Sequence, residues 1–249
     1  MKGSVVLAGI LAVAGATLAA RAVIGLPEEG AKTTGPNLAV KACDDFEVDG
    51  KGSAEAWSRA EWTPLVKRAG AGHDYDARFK VLHSRTGLYF LMEGSDSELT
   101  ASFAEDFQDL WTEDVFEVFL QPDERHPLYF EYEISPLGKE LPILIPNIDG
   151  KFLGWRPWHY DGPRRTRLAT TVDGGEKKTG ARIDRWRAEF FVPYELLKPM
   201  ANVPPRAGSR WRANFYRVDH DRGKKTGWHW APVGPSFHEF ERFGVLTFE

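Results

Sequence analysis

The chain has 249 residues, 42% of them hydrophobic and 27% charged, with a single cysteine and a formal net charge of −4. That apolar share is ample for a core and excludes a disordered or low-complexity chain. The acidic balance argues against a nucleic-acid partner, which calls for a basic excess, and the lone Cys43 rules out an internal disulfide.

Lys2, a nearly uncharged apolar run over residues 5–20 and the small-x-small triplet Ala20-Arg21-Ala22 have the form of an export signal. Residues 1–22 are therefore expected to be a signal peptide, and the protein to be exported, periplasmic or extracellular. An uncleaved membrane anchor is the alternative, because the run falls just short of the roughly 17 residues that span a bilayer. A lipoprotein is disfavoured, since no cysteine directly follows the run. Residues 23–37 mix Gly, Pro, Glu and Thr without periodicity and read as a tether. Residues 38–249 are then expected to form one domain, acting as a monomer.

Within that domain the apolar pattern has mostly period two. Residues 87–94 set Leu88, Phe90 and Met92 on one face and Tyr89, Leu91 and Glu93 on the other; residues 114–120 set Phe116, Val118 and Leu120 against Val115, Glu117 and Phe119. Strands are also expected over 128–135, 166–172, 182–192, 210–219 and 243–249, separated by Gly, Pro and Asp clusters. Helical spacing occurs in Leu99, Phe103, Phe107 and Leu110, and residues 193–197 suit a single turn. Many short strands without a long amphipathic helix indicate an all-β fold, a β-sandwich of two antiparallel sheets with minor short helices.

Asp45-Phe-Glu47-Val-Asp49-Gly50 imitates the first half of an EF-hand loop, but the twelfth position is Ala56 rather than Glu. A strand ending in an Asp-Gly turn explains it better. Glu113, Asp114, Glu117, Glu131 and Glu133 fall on two neighbouring strand candidates, and a glycosidase needs two carboxyl groups roughly 5–9.5 Å apart. Acids on the solvent face of a strand are the simpler explanation. The histidines show no HExxH motif, and neither a phosphate-binding loop nor a GxSxG elbow is present. The surplus is aromatic: Trp186 and Trp211 alternate with Ala188, Phe190, Ala213 and Phe215 as core residues do, whereas Trp111, Trp155, Trp158, Trp228 and Trp230 stand in loop-like positions. An exposed indole offers a flat apolar face to a sugar ring while neighbouring polar groups take its hydroxyls.

The stretch Trp111-Thr-Glu-Asp-Val-Phe-Glu-Val-Phe-Leu120, with Asp123, resembles the W-x-x-D-x-hydrophobic-E-hydrophobic-F signature of carbohydrate-binding module family 9. Further matches are Phe46-Glu-Val-Asp-Gly50 with Trp57, Trp186-x-Ala-Glu-Phe-x-Val-Pro193, Trp211-Arg-Ala-Asn-Phe215, and the ending Trp230-x-Pro232, Phe237-His238 and Phe243 to Phe248. The resemblance implies a sandwich related to the DOMON group. It would be a non-catalytic domain gripping the ends of xylan- or cellulose-type polysaccharides or related oligosaccharides between two aromatic rings, with structural calcium bound in its loops. It makes Trp111 one wall, Glu117 a hydroxyl acceptor and Arg217 a second polar contact. The second wall falls on Phe237 where the family carries Trp, and Trp230 is a further candidate. Such a protein serves polysaccharide catabolism by binding rather than by bond cleavage. A haem-binding electron-transfer domain of the same sandwich group is the competing reading. It requires an axial pair such as Met and His, yet Met92 alternates with Leu88 and Phe90 as a core residue would.

Overall fold

The computed structural model describes residues 35–70, 72–148, 151–158, 161–198 and 200–249. The expected signal segment and most of the expected tether lie outside these residues. Eleven strands carry the fold: β1 (Asn37–Ala42), β2 (Ala77–His83), β3 (Gly87–Ser95), β4 (Val115–Gln121), β5 (Leu128–Ile134), β6 (Glu140–Ile148), β7 (Arg167–Asp173), β8 (Arg185–Pro193), β9 (Arg210–Asp219), β10 (Thr226–His229) and β11 (Gly244–Phe248). A single helical turn, α1 (Tyr194–Leu197), follows β8.

The strands form one hydrogen-bonded path that folds over at β1. One layer runs β6-β5-β4-β9-β11 and the other β2-β3-β8-β7, with β10 alongside β9. β1 belongs to both: residues 37–40 pair in parallel with β11, and residues 41–42 in parallel with β2. The inward faces meet in a core of stacked aromatics, with Phe79 on Phe215 at 3.9 Å and Phe116 on Trp186 at 4.1 Å. Trp186, Ala188, Phe190, Trp211, Ala213 and Phe215 are all in that core, as their alternation predicts. Met92 is fully buried there between its cross-strand partners Phe79 and Ala188.

The period-two reading holds for the strands it identified, but it does not separate core from solvent. All seven residues of β4 are buried, and a second apolar cluster covers the outer face of its layer, with Val115, Phe119, Tyr129, Ile143, Tyr216 and Phe243. β6 escaped the sequence reading because Pro142 and Pro146 interrupt its pattern. Proline is tolerated here because β6 is the last long strand of its layer.

Two expectations are corrected. Residues 99–110 are not helical. Their backbone groups are satisfied elsewhere: Thr100 N–H donates to Asp114 (2.6 Å), Ser102 N–H to Glu113 (2.6 Å) and Phe107 N–H to the Glu140 carbonyl (3.0 Å), leaving one tight turn at Leu110–Thr112. Residues 45–49 form no ladder, although Phe46 does pack inward, stacked on Tyr89 at 4.0 Å. The turn that follows is held from across the domain. Buried Glu189 accepts the N–H groups of Asp49, Gly50 and Gly52 at 2.9, 2.8 and 3.2 Å and the Trp57 indole N–H at 2.8 Å, while Gly50 takes the positive φ of 75° that the tight bend requires.

Removing the Glu189 carboxylate leaves four donors unpaired, two of which, the Gly50 N–H and the Trp57 indole N–H, are buried. Glu189→Ala is therefore expected to lower unfolding stability by about 3 kcal/mol in urea titration, and the surface variant Glu55→Ala by less than about 0.5 kcal/mol.

Candidate functional site

Above the outer face of β4 and β5 lies a cavity of about 530 Å³. Its floor comes directly from strand alternation. Glu117 on β4 is the register partner of Glu133 on β5, and Phe119 that of Glu131, so all four side chains project to one side of the sheet. Loops build the walls: the turn at Leu110–Thr112 brings Trp111, residues 151–158 bring Phe152 and Trp155, and the segment after β10 brings Phe237 and His238. Arg68 and Lys225 complete the rim.

Trp111 and Trp155 meet edge to face, with ring centroids 6.2 Å apart at 72°, and form an aromatic corner. Phe237 lines the cavity differently. It lies flat on Tyr216 at 4.1 Å and 7°, and the Arg68 guanidinium stands 4.7 Å over the ring, so Phe237 turns an edge rather than an open face toward the space. Arg68 is fixed there by its Nη2, which donates to the carbonyls of Gly234 (2.5 Å) and Pro235 (3.2 Å); its Nη1 is buried without a partner.

The five acids proposed to sit on a solvent face divide into two roles, and all but the half-buried Glu113 are buried. Glu113 and Asp114 clasp loop backbone, the latter accepting Thr100 N–H and His220 N–H (2.8 Å). Glu117, Glu131 and Glu133 are buried in the cavity floor. Both oxygens of Glu133 and one of Glu131 have no hydrogen-bond partner among the described residues. Burial, above all, pushes the Glu117 carboxyl up to about 8, with Lys225 and Arg68 opposing the shift. Glu131 and Glu133 are raised well above the usual carboxylate range by burial and by the neighbouring acids. His238 is lowered to about 4 by burial and is therefore neutral at pH 7, with its Nδ1 2.6 Å from the Tyr129 hydroxyl.

Trp111, Glu117 and Phe237 thus meet in one cavity, and two other candidates do not. Arg217 is fully buried behind it, donating to Asp96 (3.0 Å), Asp219 (2.8 Å) and the Ser95 carbonyl (2.6 Å) and lying 4.9 Å over the Trp228 ring. Gly94 makes this possible, because a Cβ there would collide with the guanidinium. Trp230 belongs to the interlayer core, edge-on to Phe79 and Phe215. Spacing alone cannot distinguish these burials, because strand parity decides the face and tertiary packing decides what covers it. Trp155 stands out in sequence only as one loop tryptophan among several, and Arg68 carries no signal at all.

Among the described residues, Asp96, Asp219 and Asp221 bring carboxylate oxygens within 4.8 Å of one another. Asp221 accepts from Ser97 (2.6 Å) and Tyr75 with one oxygen, while the other is buried without a partner. Hard oxygen donors with an unfilled lone pair fit a divalent cation of the calcium type, with Arg217 offsetting part of the negative charge.

The layered fold carries an aromatic corner over a polar floor on the outer face of one layer of a β-sandwich. The resemblance to carbohydrate-binding module family 9 stands: residues 48–137 match the family described as carbohydrate family 9 binding domain-like. Among solved structures, a protein from Bacteroides uniformis, provisionally described as carbohydrate-binding, superposes with a TM-score of 0.71 at 18% identity, covering 87% of this chain and 100% of that one. A family 9 module from Caldicellulosiruptor kristjanssonii in complex with cellotriose superposes with a TM-score of 0.61 at 16% identity, covering 86% and 93%. The same organism's family 9 module in complex with glucose gives 0.61 at 15% identity, covering 86% and 95%. No curated protein matches in sequence.

The floor acids titrate above their unfolded values, so the folded state binds more protons than the unfolded chain. For Glu117 the resulting stabilising contribution is complete below about pH 4.5 and is lost as pH rises through about 8. The melting temperature is expected to fall between about pH 5 and about pH 8, and Glu117→Gln, which has no charge to desolvate, to show a shallower fall in the same scans.

Proposed function

We propose that this chain is an exported, monomeric, non-catalytic carbohydrate-binding protein. It receives the end of a β-1,4-linked gluco- or xylo-type saccharide in the cavity and contributes to polysaccharide catabolism by holding its ligand. The observation that carries the reading is the aromatic corner of Trp111 and Trp155 set over a floor of buried polar groups, in a fold shared with a module whose complex contains cellotriose. A pyranose has apolar C–H faces and a polar rim, and this cavity offers both kinds of partner. Glu117 and Arg68 are then the acceptor and donor for hydroxyls. Calcium at Asp96, Asp219 and Asp221 would act structurally, tying the end of β3 to the end of β9.

The carboxyl groups argue against hydrolysis. A glycosidase separates its acid and its base by giving them environments that push their pKa values apart. Here all three acids lie side by side beneath the ligand space and are shifted in the same direction. The haem reading finds Met92 enclosed between the layers, and its other interior candidate, Met200, packs partly buried against the same core.

Loss of a desolvated aromatic contact costs on the order of 1.5–3 kcal/mol, so Trp111→Ala should weaken binding of cello- or xylo-oligosaccharides roughly 10- to 150-fold by calorimetry. Its melting temperature should remain close to wild type. Incubation with the same oligosaccharides should release no new reducing ends; steady release abolished by Glu117→Gln would replace binding with hydrolysis.

A further inference from the structure

The cavity's charges are unevenly distributed. Arg68 and Lys225 both act on Glu117, which therefore has cationic neighbours. No cation ranks among the influences on Glu131 and Glu133, which are burial, Glu117, each other through charge and a hydrogen bond between the two carboxyls, and the Trp111 backbone N–H at Glu133. Glu133 is 0% exposed and lines the cavity, and beyond Glu131 and the Trp111 N–H neither of its oxygens has a well-formed hydrogen bond among the described residues. The other groups facing this pair are Tyr129 and His238, whose Nδ1 stands 3.9 Å from Glu131, too far for a hydrogen bond.

We propose that the cavity is built for a saccharide bearing a free amino group, with Glu131 and Glu133 as the seat of its ammonium. The inference rests on the saccharide reading above and narrows it to one ligand class. Buried acceptors without donors are costly. A hydroxyl supplies one donor and no charge, whereas an ammonium supplies three donors, no acceptor and the missing positive charge. The Nη1 of Arg68, which also belongs to the cavity lining and has no partner among the described residues, is a donor suited to a ring hydroxyl or ring oxygen. The lining thus calls for an acceptor at Arg68 and a cation at Glu131 and Glu133, as an amino sugar provides and a neutral sugar does not. The carboxyl pair, protonated when the cavity is empty, would release protons as the ammonium seats.

The test is calorimetry on the full chain with three probes of one backbone: β-1,4-linked glucosamine trimer, its N-acetylated form and cellotriose, at a pH where the amine is charged. The free amine is expected to bind at least about tenfold tighter than either neutral trimer. Its heat should vary with the ionisation enthalpy of the buffer, reporting proton release, and that of cellotriose should not. Glu131→Gln and Glu133→Gln should each bring the ratio of amine to neutral affinity toward one. If either variant fails to fold, the probe panel and buffer series on the wild type decide alone. Cellotriose binding as tightly as the amine overturns this inference and leaves the saccharide reading intact. Failure of all three probes to bind overturns both.

Discussion

The constraint on which the rest of the structure depends is that the layer containing β4, β5 and β9 is removed from water on both faces. An antiparallel layer in a sandwich usually buries one face and wets the other. Here the inner face packs against the opposite layer, and the outer face is roofed by the turn at Leu110–Thr112, residues 151–158 and the segment after β10. Any polar side chain on the outer face must therefore find a partner inside the protein or receive one from a ligand. The cavity is the part of that roof left open, and its floor is where partners are missing.

Arg217 and the glutamate floor show two resolutions of the same problem. Arg217 sits between Asp96 and Asp219 and donates to carbonyl oxygen as well, so its charge is answered within the chain. Such a pair adds little net stability, because desolvation offsets much of the attraction, but removing one partner would be severe. Glu131 and Glu133 have no such answer. Burial and the neighbouring acids push both carboxyls well above the usual carboxylate range, which favours their uncharged form. A polar group left unanswered inside an aromatic-walled space is what sets the cavity floor apart from a structural ion pair.

The aromatic residues follow the same division. Trp186, Trp211 and Trp230 fill the space between layers, and Trp228 covers the buried guanidinium. Trp111 and Trp155, carried on loops above the outer face, keep surface toward the cavity. Phe237, squeezed between Tyr216 and Arg68, serves more to hold the roof than to offer a stacking face.

Alternation and turn residues in the chain by themselves determined the sandwich class, the bounds of β3, β4, β5 and β9 to within a few residues, and the parity placing Glu117 opposite the core. Local backbone geometry projects successive side chains to opposite faces, so these properties follow from order along the chain. The Trp111–Leu120 motif likewise marked the strand and loop that frame the cavity. The tertiary structure alone decided which face met water and which tryptophans became walls. It also decided that residues 99–110 gave their hydrogen bonds to Asp114, Glu113 and Glu140 instead of forming a helix. Arg68 from one segment, Trp155 from another and the glutamates of β5 come together only through strand pairing across long stretches of chain. Burial and electrostatic environment depend on those distant neighbours, and no local pattern carries them.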